Sequence, residues 1–147
     1  MRKHLAWFIG LICLMLGQMT LAENSTRTGG YTIHHNALTT DLLPAQVATA
    51  YRLQRSKNRA LLNVSVIKDN PGSLGTPVRA EIRAVARTLF GQLRQLDMRE
   101  VIEDQAIYYL ADFPINHREI LVFEFEILPE GGRFPLRADM QQEFWTD

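Results

Sequence analysis

A single cysteine, Cys13, occurs in the 147 residues, and it lies inside an apolar N-terminal run. A mature chain without that run has no thiol. Disulfides, cysteine-type zinc sites, thiol chemistry and haem attachment through cysteine are then excluded, and the core must hold the fold unaided. Charge of one sign is also lacking, because 16 Lys+Arg balance 16 Asp+Glu. That balance excludes the usual nucleic-acid binder, whose basic excess gathers on one face. Neither internal repeats nor low-complexity stretches are visible, and Gly131-Gly132 sits in a turn context rather than in a phosphate-binding loop. What is present is 46% hydrophobic and 22% charged residues, the composition of a folded chain rather than a disordered or membrane-embedded one. The length suits one domain.

Residues 1–22 read MRKHLAWFIGLICLMLGQMTLA. Arg2 and Lys3 open the segment, the 12 residues 5–16 carry no charge, and Thr20-Leu21-Ala22 ends on a small residue. This is the layout of a secretory signal peptide, with cleavage expected between Ala22 and Glu23. As a helix the uncharged core spans about 18 Å, short of the roughly 30 Å hydrocarbon layer, so an uncleaved anchor fits poorly. Bulky Ile12 precedes Cys13, which argues against lipid attachment there. Once residues 1–22 leave, 125 residues remain, with 14 basic against 16 acidic side chains and a net charge of −2.

Residues 23–30 are polar and read as a flexible lead-in. Residues 31–35 alternate as a short strand. Pro44 suits a first helical turn, and Val47, Ala50, Tyr51 and Leu53 give residues 41–53 the apolar face of a short helix. Residues 61–67 form the next strand, followed by the turn signals Asn70-Pro71-Gly72 and Gly75-Thr76-Pro77. Residues 78–96 fit two periods. At strand spacing Val78, Ala80, Ile82, Ala84 and Ala86 share a face; at helical spacing Val78, Ile82, Val85, Leu89, Leu93 and Leu96 form a stripe. Local propensity leans towards the helix. Residues 106–113, 119–128 and 134–145 read as strands, with Leu121, Phe123, Phe125 and Ile127 opposing Glu124 and Glu126. Of the adjacent pair Tyr108-Tyr109, one side chain must point away from the other.

Tyr31, His34, Asn36-Ala37, Pro44, Tyr51, Arg55-Ser56-Lys57-Asn58, Asn63-Val64-Ser65-Val66, Leu89, Gly91-Gln92, Ile107-Tyr108-Tyr109-Leu110, Glu119 and Phe144 together carry a family likeness. The chain resembles a domain-of-unknown-function family of small exported gammaproteobacterial proteins over nearly all of its mature length. The resemblance implies an all-β, immunoglobulin-like antiparallel β-sandwich with one short helix near the mature N-terminus. It also implies that residues 78–87 are a strand burying Val78, Ile82 and Ala84, although this helix-friendly stretch departs from the family's alternating pattern. The expected organisation is a signal peptide at 1–22, the lead-in at 23–30 and one sandwich at 31–147. No activity comes with the resemblance.

Few constellations bear chemistry. His34 and His35, with His117 and Met98 or Met140, are the residue types of a copper or zinc site. Adjacent strand residues face opposite ways, so His34 and His35 do not readily share one ion, and no metal or other cofactor is expected. Ser56, His117 and Asp112 are the types of a hydrolytic triad, but no nucleophile motif surrounds Ser56, and an enzyme is not the expected reading. The segment Arg55-Ser56-Lys57-Asn58-Arg59 places three cations in five residues. It suits either a site for a carboxylate or phosphate, or a cap on the helix before it. Candidate interaction residues are therefore Arg55, Ser56, Lys57, Asn58, His34 and Tyr108. The expected function is a non-enzymatic periplasmic module that binds a periplasmic protein or a small anionic ligand, without nucleic acid and without a membrane span after export. The alternative is a small periplasmic metal-handling protein using surface histidines. Intact-mass measurement of the exported protein should return a chain beginning at Glu23; a membrane-bound species retaining Met1 would refute cleavage.

Overall fold

The computed structural model describes residues 24–147. The signal segment and its cleavage point lie outside the described residues. Among these, no helix is long and apolar enough to cross a membrane. Among the described residues, ten strands form two antiparallel sheets. The first sheet takes β1 (Asn24–Thr28), β2 (Tyr31–Thr39), β3 (Arg59–Lys68), β8 (Ala106–Pro114) and β7 (Arg99–Glu103) in the order β1-β2-β3-β8-β7, and the two-residue β4 (Thr76–Pro77) also pairs with β3. The second runs β10-β9-β5-β6, from β10 (Leu136–Phe144), β9 (Glu119–Pro129), β5 (Ala80–Thr88) and β6 (Leu93–Leu96). Packed face to face, they make the expected immunoglobulin-like sandwich.

The core is organised by β9, whose Leu121, Phe123, Phe125 and Ile127 are buried while Glu124 and Glu126 face solvent. Alanines stand beside the two phenylalanines. Ala86 and Met140 flank Phe123, and Ala84 and Ala138 flank Phe125. This placement decides the ambiguous residues 78–96 in favour of strands. Locally the alanines favour a helix, but across the sheet they leave room for aromatic rings, and burial outweighs propensity. Leu89 and Leu93 of the helical stripe are instead exposed at the β5–β6 turn. Phe113, Phe123 and Phe144 close the core with ring centroids 5.7–6.4 Å apart. Tyr109 fastens the sheets: its hydroxyl accepts from the Ala80 N–H at 2.8 Å and donates to Glu100 at 2.9 Å.

Two sequence expectations need correction. The lead-in is not loose, because Asn24–Thr28 is strand β1, in register with β2 from Asn24↔His35 to Thr28↔Tyr31. Gly29 and Gly30, with φ of 59° and 82°, make the two-residue turn that reverses the chain. A side chain on Gly29 would also strike Leu136 at 2.7 Å. The helix is shorter than expected. Helix α1 (Ala45–Ala50) follows a 3-10 turn at Thr40–Leu42 and stops when Arg52 turns left-handed, at φ 56°. The helical phase therefore ends before Leu53, so Ala48 is buried in place of Ala50.

His35 is the buried titratable group that ties β1 to the core. Its Nε2 lies 3.1 Å from Thr26 Oγ1 and its ring packs 5.6 Å from that of Phe125. Burial pushes its pKa below the ordinary histidine value; the Asp139 carboxylate opposes this and neighbouring His34 adds to it. A lowered pKa means the unfolded chain binds the proton more tightly. The stability is present above the unfolded value of about 6.5 and is lost as pH falls towards the folded one. The melting temperature should therefore drop between about pH 7.5 and 5.5, with a smaller drop in His35→Gln; equal drops would exclude His35 as the source. In urea unfolding, Phe123→Ala should cost about 3–5 kcal/mol. Phe90→Ala, at a 95% exposed position, should stay within about 0.5 kcal/mol.

Candidate functional site

Strand alternation puts a second set of side chains on the outer face of the first sheet. The register arranges them as rungs: Leu38 opposite Leu61, then Asn36 opposite Asn63, then His34 opposite Ser65. From β8, Leu110 stands opposite Asn63, and Tyr108 points outward because its neighbour Tyr109 points into the core. The face thus changes from apolar to polar along its length. Helix α1 covers the apolar end, where Leu43, Ala48, Leu53, Leu61 and Leu110 form a small second core, with Leu38, Val47, Tyr51 and Tyr108 packed around it.

Six helical residues do not cover the whole face. A cleft of about 220 Å³ is left beside α1, bounded by Asn36, Leu38, Val47, Tyr51, Asn63 and Tyr108. It shares Asn36, Asn63 and Tyr108 with a smaller cavity of about 70 Å³ that reaches His34 and Ser65. No Lys, Arg, Asp or Glu lines either space. At the rim the Tyr51 hydroxyl is held by a hydrogen bond to Glu103, which together with burial pushes its pKa up to about 12. Arg99 donates to the Tyr51 carbonyl and fastens the end of the helix. Asn63 lines both spaces, and its Oδ1 is buried without a hydrogen-bond partner. A buried unpaired acceptor is costly, of order 1–3 kcal/mol.

The sequence-based candidates divide between two places. His34 and Tyr108 meet at this cavity. Arg55, Ser56, Lys57 and Asn58 lie in the connection between α1 and β3, where backbone closure engages most of them. The Thr40 hydroxyl, fully buried, lies 2.7 Å from the Gln54 carbonyl and accepts from the Ser56 N–H at 2.9 Å. Arg55 Nη2 donates to the Asp41 carbonyl at 2.9 Å, so it caps the 3-10 turn rather than α1. Ser56 Oγ accepts from the Asn58 N–H at 3.1 Å, and the Asn58 carbonyl accepts from the Ile115 N–H at 2.9 Å. Arg59 pairs with Asp112 at 2.5 Å. Lys57 is exposed.

The other constellations are dispersed. His117 Nε2 lies 3.1 Å from the Asp147 carboxylate and its ring stands edge-on to Trp145. Met140 is buried in the main core, and Met98 packs against it. Among the described residues, no three His, Cys, Asp or Glu side chains come together as a metal-binding group. Ser56, His117 and Asp112 each have the separate partners given above. Asn36 and Asn63 were not among the sequence-based site residues. Their signal was an asparagine inside each of two apolar strands, where this residue is depleted; only the register shows that the two are opposite.

Comparison with the curated proteins finds no match. Among solved structures, a DUF4426 family protein from Pseudomonas aeruginosa is 33% identical, with a TM-score of 0.73 over 87% of this chain and 98% of that one. A copper-bound variant of FetP from uropathogenic Escherichia coli superposes at a TM-score of 0.60 with 11% identity, over 84% of this chain and 95% of that one. A copper-bound variant of P19 from Campylobacter jejuni gives 0.53 with 15% identity, over 83% and 94% of the two chains. Identities this low establish the shared fold alone. The family match spans residues 25–147, and the chain belongs to DUF4426, a family of unknown function.

Proposed function

We propose that the protein is an exported, non-enzymatic binding module whose ligand occupies the cleft between α1 and the His34–Tyr108 end of the first sheet. The observation that carries this reading is the convergence of Asn36, Asn63 and Tyr108 on one half-covered space with an apolar wall. A few placed polar groups beside apolar surface are what small-molecule sites are made of. Export is supported by the layout of residues 1–22 and by a fold relative, FetP from uropathogenic Escherichia coli, that was recombinantly expressed in the periplasm. The cleft is favoured over residues 55–58, whose polar groups are largely engaged in closing their own loop.

Metal handling is the second reading, supported by copper in two fold relatives and by His34 beside the cavity. The scattering of His117, Met98 and Met140 weighs against it.

Protein purified natively from the exported fraction should release a discrete small molecule to mass spectrometry. Val47→Trp, which fills the cleft from the helix side, should release none at an unchanged melting temperature. Identical extracts from the two would refute the cleft as the binding site. One-to-one copper binding that His34→Ala abolishes would instead favour metal handling.

A further inference from the structure

We propose that β10 recognises a second copy of this chain: two second sheets join edge to edge, β10 against β10, antiparallel about a two-fold axis at Met140. This goes beyond the binding reading and does not depend on the cleft, which lies on the first sheet. An edge strand presents a row of N–H and C=O groups, and proteins blunt such edges by shortening them or by proline, lysine, bulges or a covering element. Three of the four edges are blunted by length. β1 and β7 have five residues each and β6 has four. β7 is also occupied at both ends, where Arg99 donates to the Tyr51 carbonyl and Glu103 accepts from the Tyr51 hydroxyl. β10 differs, with nine residues and neither proline nor lysine. Its pairing with β9 runs without a bulge from Leu136↔Ile127 to Phe144↔Glu119. Among the described residues, no strand and no backbone hydrogen bond engages its other side. Leu136 reaches Gly29 of the first sheet from the inner face, and one carbonyl, that of Glu143, accepts from the exposed Gln142 side chain at 2.8 Å.

Charge complementarity selects the partner and the register. A two-fold axis at Met140 overlaps the whole of Leu136–Phe144, for roughly eight to ten backbone hydrogen bonds. On the outer face it sets Arg137 opposite Glu143 of the second copy, and by symmetry does so twice, with Asp139 opposite Gln141. All four side chains are exposed. Arg137 stands opposite Glu126 on β9, yet neither it nor Glu143 makes an ion pair among the described residues. On the inner face Leu136 meets Phe144 and Met140 meets its own copy, so the apolar layer continues across the junction. Neighbouring registers fail. An axis at Asp139 sets that carboxylate against itself, and one at Gln141 sets Asp139 against Glu143. An axis at Ala138 pairs Arg137 with Asp139 but aligns only residues 136–140.

Analytical ultracentrifugation of the exported protein from about 1 μM to about 1 mM tests the proposal, and should show a reversible monomer–dimer equilibrium. Arg137→Glu and Glu143→Arg each turn both cross-copy ion pairs into like-charge contacts, so each alone should weaken the dimer at least about tenfold. An equimolar mixture of these two variants re-forms both pairs with the charges divided between the copies. It should associate as tightly as the unaltered chain. If either single variant fails to fold, the chain carrying both changes provides the check, because it restores the pairs with reversed polarity and should dimerise normally. A protein that stays monomeric over the whole range would overturn the proposal, and would leave the β10 edge to a strand of another protein. A dimer that neither single variant weakens would overturn it too, because the contact would then lie elsewhere. Failure of both the mixture and the double variant to recover association would overturn the Met140-centred register.

Discussion

Burial of the β9 phenylalanines between two sheets is the contact on which the rest of the molecule depends. The described chain has no disulfide to share the task, so Phe123 and Phe125 must find close-packed surroundings. They find them because the flanking strands offer Ala84, Ala86 and Ala138 at the facing positions. Large rings pack beside small side chains, and Phe113 of β8 and Phe144 of β10 complete the layer. Tyr109 adds a directional constraint, since its hydroxyl joins the start of β5 to the opposite sheet. The two sheets are thereby held in one alignment.

That core occupies only the inner face of the first sheet. The outer face still presents Leu38, Leu61 and Leu110, which need a second cover. Helix α1 supplies it, delivered by the buried Thr40 and anchored at its far end by Arg99 on the Tyr51 carbonyl. Its length follows from this limited role. A longer helix would run on over Asn36 and Asn63, whose carboxamides gain nothing from an apolar cover. The cleft is therefore the boundary between the part of the sheet that gains from being covered and the part that does not.

The same sandwich in the copper-bound relatives shows how little the fold says about the ligand. In this chain His35, His117 and Met140 have separate structural tasks. His35 is spent on Thr26 and Phe125, His117 on the carboxylate of Asp147, and Met140 on the core. The uncharged amides of the cleft are the groups left without a structural task of equal weight.

Much of the architecture was legible from residue order. The alternation of β9 and β10, the turn at Gly131-Gly132, and the outward direction of one tyrosine in Tyr108-Tyr109 follow from strand geometry, which acts between near neighbours. Residues 78–96 were not legible in this way. Ala84 and Ala86 read as helix formers until Phe123 and Phe125, some 40 positions on, lie beside them. The basic segment looked like a ligand site because three cations in five residues stand out in a balanced chain, while its hydrogen bonds to Thr40 and Asp41 lie across a loop. The cleft was the least visible feature. Asn36 and Asn63 come from different strands, Val47 from the helix above them and Tyr51 from just past its end. Which face of each strand is apolar could be read from residue order, because side-chain alternation is local. Which polar residues meet could not, because strand register and the position of one short helix are set by packing between residues distant in the chain.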